Sequence, residues 1–211
     1  APNVSWIAMR SGMDKQHDLM ASINASLGNH QHANGISLEL YGKGYVLGPD
    51  AGIGKYLYSG LDYLEYYSQM PAHNTVVVDG VSSYPVMMSQ HAFKVVASYP
   101  EVSKEQPASK KLSEWKLSTE KDSELKDKIS YATVKFLEPE TQAQQQRTTA
   151  IVKTSAKGGY YIDVFRSKKE EGGDKTHDYF YHNLGQEMKV MDAATHQPLD
   201  MKHTEELAFA D

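Results

Sequence analysis

Between Lys128 and Leu137 polar and apolar residues alternate. Ile129, Tyr131, Thr133 and Lys135 fall on one face of an extended chain, and Ser130, Ala132, Val134 and Phe136 on the other. The same two-residue period runs through Arg147 to Ser155, where Thr148, Ala150, Val152 and Thr154 share a face. Strand character also marks Trp6 to Arg10, Met20 to Ser26, Ile36 to Tyr41, Tyr45 to Leu47, Asn74 to Asp79, Ala92 to Tyr99, Trp115 to Ser118, Tyr160 to Ser167, His177 to Asn183 and Met188 to Met191. Gly42-Lys43-Gly44 and Asp79-Gly80 are turn signals, so Ile36 to Leu47 predicts a hairpin. Helical periodicity is scarce: Leu57 to Gln69 reads as a Tyr-rich, irregular or weakly helical stretch. Glu101 to Asp127 is polar and reads as a surface excursion or a pair of edge strands, and Lys168 to Lys175 as a hairpin tip. Short strands separated by turns predict an all-β fold, an antiparallel sandwich or barrel. No boundary divides residues 1–211, which read as one domain.

Composition sharpens this picture in a few places. A chain of 211 residues with 40% hydrophobic content can bury a real core. Fourteen tyrosines against five phenylalanines favour β structure. A net charge of −5 leaves no basic footprint for nucleic acid. An anionic polymer would need a local cluster of positive charge or a metal to meet it. With no cysteine there are no disulfides and no thiolate metal sites. No apolar run approaches the roughly 20 residues of a membrane helix, so no membrane partner is expected. The opening APNVSWIAMRSG carries neither an initiator Met nor a signal-peptide pattern and reads as the start of a fragment.

The candidate chemistry begins at Gly28-Asn29-His30-Gln31-His32-Ala33-Asn34-Gly35. In an extended chain residues i and i+2 lie on one side, roughly 6.5 Å apart, so His30 and His32 can face one site. Neutral imidazole is the commonest metal ligand. Asp50 follows the return strand of the predicted hairpin, whose far end comes back beside its start and so near His32. His73 stands just before the strand Thr75-Val76-Val77-Val78. Two imidazoles and one carboxylate with an open fourth position suit Zn²⁺. Each residue also has an ordinary role open to it: a turn-stabilising Asx residue at Asp50, a capping or loop histidine at His73. A cupin-type metal barrel competes for the His-x-His pattern, but the next glutamate is Glu39 and no second cupin motif follows. His177 and His182 are five positions apart, opposite faces of a regular strand, and read as sheet-surface residues. Arg147 and Arg166 sit at strand ends and read as solvated or salt-bridged.

"GNHQHANGISLELYGKGYVLGPDAGIG" followed by "YYSQMPAHNTVVVDG" resembles the heparinase II/III family of polysaccharide lyases, and "QQQRTTAIVKT" with the stretch onward to "HDYFYHNLG" resembles its β domain. The resemblance runs from about Ser22 to Gly185. It implies a large antiparallel, supersandwich-like β-sandwich without the family's N-terminal α/α toroid, a fragment of a longer lyase. It implies β-elimination on an anionic, uronic-acid-containing polysaccharide, with the toroid of the same protein as partner and a secreted or periplasmic location. By position His32, Asp50 and His73 match the metal ligands, usually zinc, with another divalent cation the alternative. His30 matches a histidine at the catalytic cleft, and Tyr58 is the first choice for the catalytic tyrosine that lines it, with Tyr56 and Tyr63 next; beside them Asn29 is expected to help His30 bind or neutralise the substrate. Two departures stand out: Pro49 precedes Asp50 where the family often has Asp-Pro-Gly, and Asn34 stands where Asp is frequent. Because the main Tyr and His acid/base residues of the family lie on the toroid, the isolated chain is expected to be weakly active or inactive. The reading set against this one is a non-catalytic carbohydrate-binding or scaffold sandwich.

Overall fold

The computed structural model describes residues 5–29, 32–52, 54, 60–82, 88–101, 128–172 and 175–202. Two four-stranded antiparallel sheets make up most of it. The first has the order β1-β2-β4-β5, from β1 (Trp6–Arg10), β2 (Leu19–Asn24), β4 (Ser37–Gly42) and β5 (Tyr45–Gly48). The second has the order β11-β10-β9-β8, from β8 (Lys94–Tyr99), β9 (Ile129–Leu137), β10 (Gln144–Ser155) and β11 (Gly158–Lys168). Two short antiparallel pairs join elements at the margin: β3 (Ser26–Asn29) with β7 (Met88–His91), and β6 (Val76–Val78) with β12 (His177–Tyr179).

The predicted alternation becomes the packing. On β9 the buried set is Ser130, Ala132, Val134 and Phe136, one of the two faces read from the sequence. Ala132, Val134 and Phe136 with Ile151 of β10 meet Ile7 and Met9 of β1, Leu19, Ala21 and Ile23 of β2, and Leu38 and Leu40 of β4 in one core. Each such aliphatic side chain contributes about 1.5–3 kcal/mol when fully buried. The expected sandwich is therefore present, with its layers joined through this core.

Toward one end the inner face of β10 changes character. Thr149, Arg147 and Gln145 follow Ile151 inward, and all three are buried. Arg147, in the interior of β10 and not at its end, makes two bonds to Asp163 of β11, Nε to Oδ1 and Nη2 to Oδ2, each 2.8 Å. Its Nη1 donates to the carbonyls of Ile36 at 2.6 Å and Asn74 at 2.5 Å, and Nη2 to the Tyr179 hydroxyl at 3.0 Å. All five guanidinium N–H groups thus have acceptors. The rings of Phe165 and Tyr179 flank the guanidinium, 5.2 and 5.8 Å from its carbon. One side chain so ties sheet two to the start of β4 and to the segment that carries His73 and Asn74.

Three expectations change. The Lys168 to Lys175 stretch is no hairpin tip: β11 and β12 are not neighbours, and β12 crosses over to pair with β6. The strand expected over His177 to Asn183 ends at Tyr179. Met188 to Met191 forms only an isolated bridge, Met191 to Pro198. The strand expected at Trp115 to Ser118 lies outside the described residues.

Candidate functional site

The β4–β5 hairpin turns through Lys43 (φ 58°) and Gly44 (φ 84°), the paired positive φ angles that match strand twist in a two-residue turn. That turn returns the chain through Gly48 and Pro49 to Asp50. The carboxylate of Asp50 serves two ends at once. Its Oδ1 accepts the Gly52 N–H at 2.9 Å, the Asx turn, and its Oδ2 lies 2.5 Å from Nδ1 of His73. His73 follows the short 3₁₀ turn Met70–Ala72 and is buried to 1% exposure.

His32 arrives from the opposite side. The Ser26 hydroxyl at the start of β3 donates to the His32 carbonyl and accepts the Asn34 N–H at 2.9 Å, closing the turn after the histidine. Ala33 donates its N–H to the Ser68 carbonyl at 2.8 Å, and its side chain packs with Met70 and Val77. The His32 ring stands 5.4 Å, centroid to centroid, from His73 and 5.4 Å edge-on from Tyr63. His32, Asp50 and His73 therefore converge, as their spacing suggested.

The sequence reading missed three members of this cluster, Asn74, His182 and Tyr66. Asn74 is buried, and its Nδ2 donates to the carbonyls of Leu38 at 2.8 Å and Pro49 at 3.1 Å. Those two acceptors fix the amide, so its Oδ1 faces His182, accepting the backbone N–H at 2.5 Å and standing 3.1 Å from Nδ1. On the far side of the imidazole, Nε2 lies 3.1 Å from the Tyr66 hydroxyl. His182 is thus not a sheet-surface residue. Face parity misled because β12 ends at Tyr179, three residues earlier. The signal available was the pairing of "AHN" with "YHN", two polar triplets at the ends of paired strands.

Charge and burial set the protonation of the cluster. Burial pushes the Asp50 carboxyl up, but the hydrogen bond and charge of His73 outweigh it, and the group sits below the usual carboxylate value. Burial, then the neighbouring charge of His73, holds His32 below the ordinary imidazole value against the opposing pull of Asp50. The same causes in the same order lower His182. Burial, and then Tyr67, raises the Tyr66 phenol.

Among the described residues, no three His, Asp or Glu side chains surround one point as a metal site requires. The donor chemistry nevertheless suits a cation. With the Asp50 carboxylate on Nδ1, Nε2 is the His73 ring nitrogen left to face a cation, and that atom is buried with no hydrogen-bond partner. Zinc bonds of 2.0–2.1 Å in a tetrahedron set two ligand atoms about 3.3 Å apart. An ion held by both Asp50 and His73 would part them, whereas an ion on Nε2 alone would leave Asp50 behind the ring as its orienting carboxylate.

The remaining expectations fall unevenly. His30, Tyr56 and Tyr58 lie outside the described residues. Asn29 ends β3 opposite Met88. Tyr63 is buried to 1% and supports the His32 ring edge-on instead of lining a cleft.

Comparison with known proteins assigns the family. A family profile described as "Heparinase II/III-like, C-terminal" matches residues 2–123. The chain belongs to the heparinase II/III-like family. It is 32% identical over 164 residues to an endo-acting ulvan lyase of Formosa agariphila, a match covering 74% of this chain and 18% of that protein. A solved heparinase III gene product shares the fold with a TM-score of 0.60 at 13% identity, over 91% of this chain and 25% of that one. A heparan sulfate lyase, HepC, from Pedobacter heparinus overlays with a TM-score of 0.40 at 14% identity, covering 90% of this chain and 37% of that one. This heparinase II/III-like chain thus spans about a fifth to two fifths of the length of these relatives.

Proposed function

We propose that this chain is the β-sandwich part of a polysaccharide lyase that cleaves a uronic-acid-containing polysaccharide by β-elimination. The observation that carries the reading is the convergence of His32, Asp50 and His73 at one end of the sandwich, with His73 Nε2 buried and unpartnered. The family and the relatives named ulvan lyase and heparinase III support it. In this reading zinc, or another divalent cation, is held by His32, Asp50 and His73. When bound it supplies a fixed positive charge that ties three segments together.

The reaction removes the C5 proton of a uronate and expels the glycosidic oxygen at C4. Neutralising the uronate carboxylate stabilises the enolate-like state. His30 and Asn29 are proposed for that task and Tyr58 for lining the subsite, on the family likeness alone. A helical domain of the same protein is the proposed partner, closing the cleft over the sandwich. A polysaccharide does not cross a membrane unaided, which favours the periplasm or the outside of the cell as the proposed site of action.

Two measurements test this. Ulvan and heparan sulfate are offered to the chain, alone and in the longest natural form that carries it, and unsaturated uronate is followed by absorbance. Product is expected from the longer form and little from the chain alone; no product from either would end the lyase reading. Zinc per molecule, on protein without a His tag, is expected to fall in His32→Ala and His73→Ala, and equal contents would remove those residues from the site. Asp50→Asn separates ligand from orienting carboxylate: a ligand's loss empties the site, whereas loss of an orienting group weakens affinity about 10–100-fold.

A further inference from the structure

Four cations stand together on the outer face of sheet two, in a chain with 27 Asp and Glu against 22 Lys and Arg. The strand registers put them there. Lys94 of β8 lies opposite Lys135 of β9, Lys135 opposite Gln146 of β10, and Gln146 opposite Arg166 of β11. Partners across antiparallel strands share a face, so these side chains form one row, about 14 Å long at ~4.8 Å per strand. The next row holds Leu137, Gln144 and Lys168. All four cations are exposed. The outward positions of β9, β10 and β11 carry no Asp or Glu. Lys168 reaches Glu170 at 3.1 Å, and among the described residues no ion pair is made by Lys94, Lys135 or Arg166. Like charges directly opposite one another destabilise a sheet, so the Lys94–Lys135 pair is a cost to the free chain. A groove of about 630 Å³ runs here, lined by the four cations and the amides of Gln144 and Gln146.

We infer that this row is a second binding site for an anionic polysaccharide, which it holds by carboxylates or sulfates away from the cleft. The inference rests on the reading of the substrate as an anionic polymer. A net charge of −5 gives such a polymer no global attraction, and the row supplies the local positive charge it needs. An anion seated between Lys94 and Lys135 relieves their repulsion. The two amides donate and accept, as sugar hydroxyls require, and one row further along Thr133 and Thr148 add hydroxyls 2.9 Å apart. Neither cationic row contains an aromatic ring, so the bases of a single-stranded nucleic acid have nothing there to stack on. Arg147 follows Gln146 and turns to the opposite face, where it bonds the Asn74 carbonyl. The row therefore lies at the same end of the sandwich as His73, with sheet two between them. A polymer caught on the row keeps its remaining length near the cleft, which raises the effective concentration of cleavable units there.

The test uses the longest natural form that carries the chain, with heparan sulfate and ulvan as probes and neutral dextran and duplex DNA as controls. Binding is measured by calorimetry across a salt series. A variant combining Lys94→Gln, Lys135→Gln, Arg166→Gln and Lys168→Gln is expected to bind at least one of the two anionic polymers about 10-fold or more weakly at low salt, with a flatter salt dependence. Its KM on that polymer should rise in step, with kcat within about twofold of the parent. A second readout needs no ligand: Lys135→Gln alone is expected to raise the urea midpoint at low salt, and the gain should vanish by about 1 M salt. Parent-like affinity and salt slope in the fourfold variant, for both polymers, overturn the proposal. So does dextran or duplex DNA bound as tightly as the anionic polysaccharides, or a Lys135→Gln midpoint no higher than the parent's. A parent that binds through the row but forms no unsaturated product is the separate failure of the lyase reading itself.

Discussion

Replacing Arg147 by lysine keeps the buried charge and removes the fork. The guanidinium uses all five N–H donors, on Asp163, Ile36, Asn74 and Tyr179. An ammonium has three. At least two bonds go unmade, and leaving a buried acceptor unsatisfied costs about 1–3 kcal/mol. The Asp163 side chain is 18% exposed and can turn one oxygen toward water, which favours the lower half of the sum, about 2–4 kcal/mol. At about 2–3 kcal/mol per molar urea for a chain of this size, the midpoint should fall by about 1–2 M.

A double-mutant cycle sharpens the assay. Arg147→Met strands the Asp163 carboxylate and should cost about 3–5 kcal/mol. Arg147→Met with Asp163→Leu removes both ions and should recover about 1–2 kcal/mol of that loss, since a buried pair replaced whole is far cheaper than a pair broken. Urea unfolding followed by tryptophan emission reads all four proteins. An Arg147→Lys midpoint equal to the parent's, or a double variant no better than Arg147→Met, would refute the view that this one side chain holds the Asn74 segment to sheet two.

Two further outcomes follow from the same region. Gly35 has φ +61°, and a Cβ there would meet Thr75 Oγ1 at 2.7 Å and Met70 Cε at 2.8 Å, so Gly35→Ala should destabilise by about 1–3 kcal/mol; an unchanged urea midpoint would contradict it. His32 and His182 titrate below the ordinary imidazole value in the folded chain, so between that value and their folded pKa values the unfolded chain binds more protons. Stability in the presence of a chelator should therefore be full above about pH 6.5 and decline as pH falls toward 5, by less than one proton per histidine, with the slope reduced in His182→Gln. A midpoint independent of pH over that window would show that these imidazoles are not held neutral by folding.

The strands were legible because two-residue alternation is a property of the strand itself. Ser130, Ala132, Val134 and Phe136 could be placed on one face from their letters, and they do line the core. The approach of Asp50 to the His32 side was legible for a related reason: a hairpin returns its end to its start, so chain order carried distance, whereas His73 was legible only as a residue at a strand mouth. Arg147 was half legible. A salt-bridged arginine was one of its two readings, but placed at a strand end it gave no sign that Asp163, Ile36, Asn74 and Tyr179, scattered over the chain, would saturate it inside the sheet. His182 was illegible by the rule applied to it. Parity holds only while backbone bonds to a neighbouring strand fix each residue's side. Past Phe180, whose N–H still reaches the Thr75 carbonyl, the chain is steered by an Asn74 amide instead, which accepts the His182 N–H and turns the imidazole toward Tyr66. A site assembled just beyond strand ends obeys the side chains that catch the departing backbone. Histidines in such places are therefore better searched for by looking for a buried amide across the last strand pair than by counting residues along the chain.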